Sequence, residues 1–462
     1  MPPAAASGST ATRPDGTWRA CAARPRGSWR GAGSSAPPSP RSSACGARTC
    51  PWWSTVVTPW TRHSRRARGL STPADAGPRP IRLLQAAAFV ATFDRFAMPP
   101  MLVAIALDLG VPLGDVVRAA GAYFLVYGLS QPVWGTVSDR LGRVATMRLT
   151  LVVAGLCSVA SAFSTTTAVL LLTRGLAGGF FGAAYPAALI YLGDTVRPEI
   201  RQRDIARLMV GVALGTSLAY VGAGLVADHA TWRLTFVVTG AAALVVAARL
   251  GALAEPPGRT TPGVLPPLRT VARSGVARFV LLCALVEGAV LLGTVTLLPA
   301  AAEGAGASTS VAGLATGVYG LSVLVCSQLV GRLSQRWDAA RLLRVGAVAA
   351  VLAGSVLAVS QGVAAAVAGA VLLGAAWSAM HSTLQTWATE VLPQARATVV
   401  SLFAGSLFVG SSLAAVLASG LADRGRYDVL FAAAAVLAVP LGAAAAAVRG
   451  RWRPRAAGPT GP

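Results

Sequence analysis

Asp94 lies near the middle of an apolar stretch, 83–107, that is long enough to cross a bilayer as a helix. A bare carboxylate at that depth costs about 2.5–3.5 kcal/mol on insertion scales. It must find a partner or take up a proton. A carboxylate reached from alternating sides is what proton coupling requires, and a static pair stabilising the first half of the chain is the other use open to it. Arg95 is adjacent, but successive helical residues point about 100° apart, so it need not be the partner. Glu287 and His381 are two further ionisable residues inside apolar stretches. Glu287 suits a proton or a cationic substrate. His381 suits a proton shuttle or a plain hydrogen bond.

Pro99 and Pro100 follow Asp94 in the same stretch and remove backbone donors, so the helix is expected to kink or break there. Broken spans at the midplane commonly line a transport cavity. Met98 and Met101 flank the break, where soft side chains suit a varied apolar ligand or simple packing. Tyr123, Tyr127, Tyr185, Tyr319 and Trp377 are placed either to line such a cavity or to pack between helices.

The elements that must position these residues are long apolar helices. The chain has 462 residues, 54% hydrophobic and only 12% charged, against about 25% charged in a soluble protein. Twelve candidate spans follow Ile81: 83–107, 116–137, 147–165, 167–192, 206–227, 233–253, 277–301, 309–331, 343–360, 363–388, 397–420 and 428–448. They are numbered 1 to 12 below. All 40 basic residues are arginine and the net charge is +23. Arginines fill the loops after spans 2, 4, 6 and 8 and the C-terminus, which by the positive-inside rule makes both termini cytoplasmic. An even span count agrees. The charge is thereby explained without nucleic acid.

Residues 1–80 differ, carrying 12 Arg against 2 Asp. They read as a disordered basic tail or an open reading frame begun too far upstream, and they lack the apolar h-region of a signal peptide. A basic arm for nucleic acid or anionic lipid, with Trp52, Trp53 and Trp60 interleaved, is the less favoured reading. Cys21, Cys45, Cys50, Cys157, Cys283 and Cys326 show no CxxC or Cys/His ligand spacing, so no disulfide framework or metal site is expected. No Walker loop or nucleophile elbow is present, so neither an ATP-driven pump nor a hydrolase is expected. Gly178-Gly179 and Gly222-x-Gly224 read as close helix packing.

The chain repeats itself. Gly135-x-x-Ser138-Asp139-Arg140 returns as Gly331-x-x-Ser334-Gln335-Arg336, offset by 196. Leu214-Gly215-Thr216-Ser217-Leu218-Ala219 returns as Val409-Gly410-Ser411-Ser412-Leu413-Ala414, offset by 195, and that offset also pairs Arg201 with Arg396, Ala227-Asp228 with Ala422-Asp423 and Phe236 with Phe431. Two parallel six-helix halves follow, which commonly hold a substrate between them. In the first loop Gly135 is expected to allow close helix approach and Gly142 a tight turn, while Asp139 accepts from helix N-termini or arginines.

Over residues 81–450 the chain resembles the major facilitator superfamily. Gly135-Thr-Val-Ser-Asp139-Arg140-Leu-Gly142-Arg143 resembles the family's loop between spans 2 and 3, Leu172-Thr-Arg174-Gly-Leu-Ala-Gly178 its span-4 motif, and Trp232-Arg233-Leu-Thr-Phe236 the motif opening span 6. Within the family it is most similar to the twelve-span drug:proton antiporters, although Gly215 is followed by Thr216 where their span-5 signature has proline. The resemblance implies an all-α membrane fold of twelve helices in two pseudo-symmetric six-helix bundles. The implied divisions are 1–80 tail, 81–254 first bundle, 255–275 cytoplasmic linker, 276–449 second bundle and 450–462 tail. It gives Arg174 a part in proton translocation, making that residue the better candidate partner for Asp94. It makes Asp139, Arg140 and Arg143 a latch on the cytoplasmic gate, with Gly331 and Arg336 forming a weaker second copy.

The expected function is proton-coupled efflux of a small, partly apolar organic compound across the plasma (inner) membrane by a monomer with no cofactor. The alternatives are proton-coupled uptake of a sugar, organic acid or other nutrient, and a non-transporting sensor or lipid-handling protein.

Overall fold

The computed structural model describes residues 78–256 and 265–453. The expected tails, 1–80 and 450–462, lie almost wholly outside these residues, as does the middle of the expected linker. Within the described residues the chain is helical from end to end. The linker contributes a short helix, Leu265–Arg273, before Gly275 opens span 7.

Eleven helices among the described residues are long and apolar enough to cross a membrane, where the sequence predicts twelve. The difference is span 2. Its place is taken by a 29-residue helix, Leu113–Leu141, whose length of ~43 Å is ample but whose composition is more polar. The polar residues have structural work. Gln131 donates through Nε2 to the Gly182 carbonyl at 3.1 Å, and Trp134 donates through Nε1 to the Gly179 carbonyl at 2.6 Å. Span 4 is interrupted at that point, between helices Thr167–Phe181 and Ala184–Thr195. The neighbour's amide thus meets a carbonyl left beside the interruption, a group that cannot stay unpaired in hydrocarbon.

Span 4 is one of four spans that depart from regular α-geometry midway. Span 1 passes through a 3-10 turn, Pro99–Met101, because two consecutive prolines supply no N–H. Spans 7 and 10 widen into π-turns at Gly288–Leu292 and Trp377–His381. These are the first helices of the four three-helix groups along the chain.

Close crossings join the halves. Gly114, Gly121 and Gly128, seven residues apart, lie along one face of the 113–141 helix and meet Ser419, Ala415 and Gly405 of span 11. Gly313, Gly317 and Gly320 of span 8 meet Tyr220 and Ser217 of span 5. Inside the second half, span 7 crosses span 11 so tightly that a Cβ on Gly288 would lie 1.8 Å from the Leu407 carbonyl oxygen, and one on Gly410 1.8 Å from that of Leu285. Small residues permit such backbone approach between membrane helices.

The repeat is also visible in two matched hydrogen bonds between the halves. Asp423, ending span 11, accepts from the Gly114 N–H at 2.6 Å, and Asp228, ending span 5, accepts from the Ser310 N–H at 3.2 Å. Gly114 and Ser310 are each the second residue of their helix and stand 196 apart, while the two aspartates stand 195 apart. Both bonds lie at the face opposite the arginine-rich loops. At the arginine-rich face nothing lies within 4 Å of where a Cβ would sit on Gly135 or Gly331. The close approach expected of Gly135 is therefore absent in this conformation, and the halves are drawn together at the other face.

Candidate functional site

The carboxylate in span 1 is fully buried, and its partner is the span-4 arginine. Arg174 Nη2 lies 2.8 Å from Asp94 Oδ2, and its Nη1 lies 3.2 Å from Oδ1. Nη2 also donates to the Asp94 backbone carbonyl at 3.1 Å, and the Ser158 hydroxyl of span 3 donates to Oδ1 at 2.7 Å. Both charged side chains are wholly enclosed. The guanidinium lies between Tyr123 and Phe236, 4.7 Å and 4.5 Å from the ring centres. Aromatic faces and a bidentate carboxylate suit arginine's flat, delocalised cation. Spans 1, 3, 4 and 6 and the 113–141 helix all contribute, so the pair sits in the middle of the first half.

Arg95 points elsewhere, as the 100° helical step requires. Its guanidinium lies over Tyr127 at 4.8 Å and over Phe408 at 5.4 Å, and Phe408 belongs to span 11 of the other half. Among the described residues the Arg95 guanidinium donates to no side-chain or backbone acceptor, and its Nε is buried without a partner. Part of the side chain remains accessible.

The second half holds the other ionisable pair. Glu287, fully buried, lies 3.3 Å through Oε2 from His381 Nδ1, and its Oε1 has no partner among the described residues. Glu287 immediately precedes the span-7 π-turn and His381 closes the span-10 π-turn. The two distortions thus bring the residues from spans 7 and 10 together; π-turns often mark functional positions. His381 stacks on Trp377 at 3.9 Å and is 12% exposed. Tyr319, in span 8, is buried. Span 11 lies beside ionisable groups of both halves: Arg95 sits over Phe408, and the His381 ring centre is 5.6 Å from that of Phe403.

Other expected cavity residues divide. Met98 and Met101 are buried in the packed core around the span-1 break, so packing is the role the structure gives them. Tyr123 is enclosed against Arg174, with its hydroxyl unpartnered. Tyr127 packs against Phe408, ring centres 4.3 Å apart and planes tilted by 58°. Tyr185 and Trp377 are partly exposed.

The loop after the 113–141 helix is built around Gly142, whose φ of 98° favours glycine. Asp139 pairs with Arg143 at 2.5 Å, and Arg143 also reaches Asp194 at 3.4 Å and the Ser138 hydroxyl at 3.1 Å. Arg140 is exposed. Of the two arginines placed in this latch by the resemblance, Arg143, just beyond the turn at Gly142, makes the ion pair with Asp139. In the second copy Gln335 and Arg336 are both exposed, and Asp338 instead caps its own helix through the Arg341 N–H at 2.7 Å.

Glu255, just past span 6, was not singled out from the sequence. Its carboxylate accepts from the N–H groups of Arg143, Val144 and Ala145, the latter two at 3.0 Å, capping the helix Arg143–Ala162. A Cβ on Gly142 would lie 2.5 Å from that carboxyl carbon, so the glycine serves the cap as well as the turn. No local pattern signals a cap 112 residues distant. Glu255→Ala should cost ~0.5–1 kcal/mol, the lower part of the range for caps because the side chain is exposed. Thermal melting in detergent reads this directly; an unchanged midpoint would show that solvent replaces the cap without cost.

Residues 84–308 and 280–461 match the sequence model of the Major Facilitator Superfamily. The chain is 30% identical over 162 residues to the 4-hydroxybenzoate transporter PcaK of Acinetobacter baylyi, covering 34% of this chain and 35% of that one. It is 27% identical over 139 residues to Multidrug resistance protein D of Escherichia coli, covering 30% and 35%. These matches span less than half the length of each relative. Among solved structures, the nucleoside transporter NupG superposes with a TM-score of 0.67 at 13% identity, covering 81% of this chain and 100% of that one.

Proposed function

Because this chain belongs to the major facilitator superfamily, we propose that it moves a small organic molecule across a membrane by alternating access, driven by protons. The observation that carries this reading is a buried ionisable pair inside each half, Asp94 with Arg174 and Glu287 with His381. Rocking of the halves exposes the space between these pairs to each side in turn.

The two pairs divide the work. Asp94 and Arg174 form an enclosed, neutral unit with every carboxylate oxygen bonded, so proton uptake there requires Arg174 to move. Glu287 has an unpartnered oxygen, and its histidine is partly accessible. Glu287 and His381 are the more accessible proton exchangers, and Asp94 with Arg174 responds to them. The arginine-rich face is cytoplasmic, the Asp139–Arg143 loop steadies that gate, and one chain suffices because it contains both halves.

Export of a partly apolar compound is the leading direction, supported by the aromatic setting of the site and the multidrug relative. Uptake of an organic acid is the second reading, supported by Arg95 and by the relative named for 4-hydroxybenzoate.

Inverted vesicles acidified inside and loaded with a pH-sensitive dye test the coupling. A transported compound from a panel of lipophilic drugs, sugars and organic acids should change lumenal pH with wild type. Glu287→Gln should abolish the response while the protein still folds. A full response in Glu287→Gln and in Asp94→Asn would remove proton coupling from both pairs.

A further inference from the structure

We propose that Arg95 is the anchor for an anionic substrate: a planar aromatic carboxylate whose acid group bonds the guanidinium and whose ring lies against Tyr127 and Phe408. The inference rests on the transport reading above and names its substrate class, whichever way the cycle runs.

Arginine stays charged at every physiological pH and offers five donors. At membrane depth such a cation is expected to pair with an anion or a carbonyl. Arg174 does so with Asp94, but Arg95 does not, although Asp94 is its neighbour in sequence. Its contacts are aromatic faces, which leave its in-plane donors unanswered. These rings come from both halves, so the accessible part of the guanidinium opens onto the space between them. A molecule bound there touches both moving parts, as a transported substrate must.

The chemistry of the surroundings narrows the ligand. A carboxylate matches the guanidinium fork through two parallel bonds. The Tyr185 hydroxyl of span 4, which donates to the Met209 sulfur at 3.7 Å, could turn to donate to a ligand instead. Tyr127 and Phe408, with ring centres 4.3 Å apart and planes tilted by 58°, form an apolar corner beside the guanidinium. A neutral ligand would leave the cation unanswered, and a cationic one would be repelled by it.

The test is binding of benzoate, 1-naphthoate and indole-3-carboxylate, each against its carboxamide, to purified full-length protein by isothermal titration calorimetry. At least one acid should bind saturably and its carboxamide at least tenfold more weakly. Arg95→Gln should weaken the acid roughly 10- to 100-fold, as expected for loss of a charged hydrogen-bonded pair. Arg95→Lys should recover part of that loss. Melting temperature and gel-filtration profile establish that each variant is folded.

Equal affinity for acid and amide, an unaffected Arg95→Gln, or no acid bound by wild type would each overturn the assignment. The proton assay separates this from the parent reading. A neutral or cationic compound moved with protons keeps proton-coupled transport and removes the anion site. Acid binding lost with Arg95 but no proton-linked movement keeps the site and removes the coupling.

Discussion

Asp94→Asn lowers stability by about 3–5 kcal/mol, and Arg174→Gln does the same, because each leaves the other partner buried without its counter-charge. The double variant Asp94→Asn with Arg174→Gln should recover most of that loss. Two neutral amides of similar shape can bond each other and Ser158, and no charge is left in the enclosed site. A thermal melting cycle over the four proteins in detergent gives the coupling energy. Single variants that melt like wild type would mean that the charge left behind finds another partner, and would remove the structural role. A folded double variant that no longer couples protons would identify a part in transport beyond stability.

The second large effect is expected at the crossing of spans 7 and 11. Gly288→Ala and Gly410→Ala each drive a methyl into a backbone carbonyl of the other helix, at 1.8 Å before any adjustment. The obstacle is main chain, so no rotamer change relieves it. The helices must separate, at about 1–3 kcal/mol or somewhat more. Because one separation accommodates both methyls, the double variant should cost much less than the sum of the singles. Gly331→Ala, with open space around it, is the control and should be neutral or slightly stabilising. If Gly288→Ala melts with that control, the two backbones are not in contact in solution. The crossing also adjoins Glu287, so the singles should disturb proton exchange as well as folding.

Much of this was legible in the sequence, and the exceptions share a cause. Apolar blocks and the repeat gave the helices and the two halves, because both are local or periodic. Asp94 stood out because a carboxylate has no business in a long apolar run without a partner. The resemblance, not the spacing, pointed to Arg174, and the structure places it on Asp94. Glu287 and His381 were visible singly, but their contact was not, since it depends on two π-turns that no hydrophobic pattern signals. Span 2 was counted, but the role of Gln131 was not visible, because its partner, the Gly182 carbonyl beside the span-4 interruption, is 51 residues away. Glu255 was missed for the same reason. The lone cation at Arg95 became informative only once the structure assigned Asp94 to another arginine.

The matched hydrogen bonds of Asp228 and Asp423 have a mechanical consequence. Each belongs to one half and grips the other, so they act as two clasps on either side of one approximate symmetry axis. A rotation about that axis cannot undo one and spare its mate; the face opens at both together. Both aspartates are exposed, so each clasp is worth little alone. Their combined hold is of order 1–2 kcal/mol, a bias of roughly five- to thirtyfold toward closure. That is enough to define a resting position, and little enough for a bound molecule or a single proton to reverse.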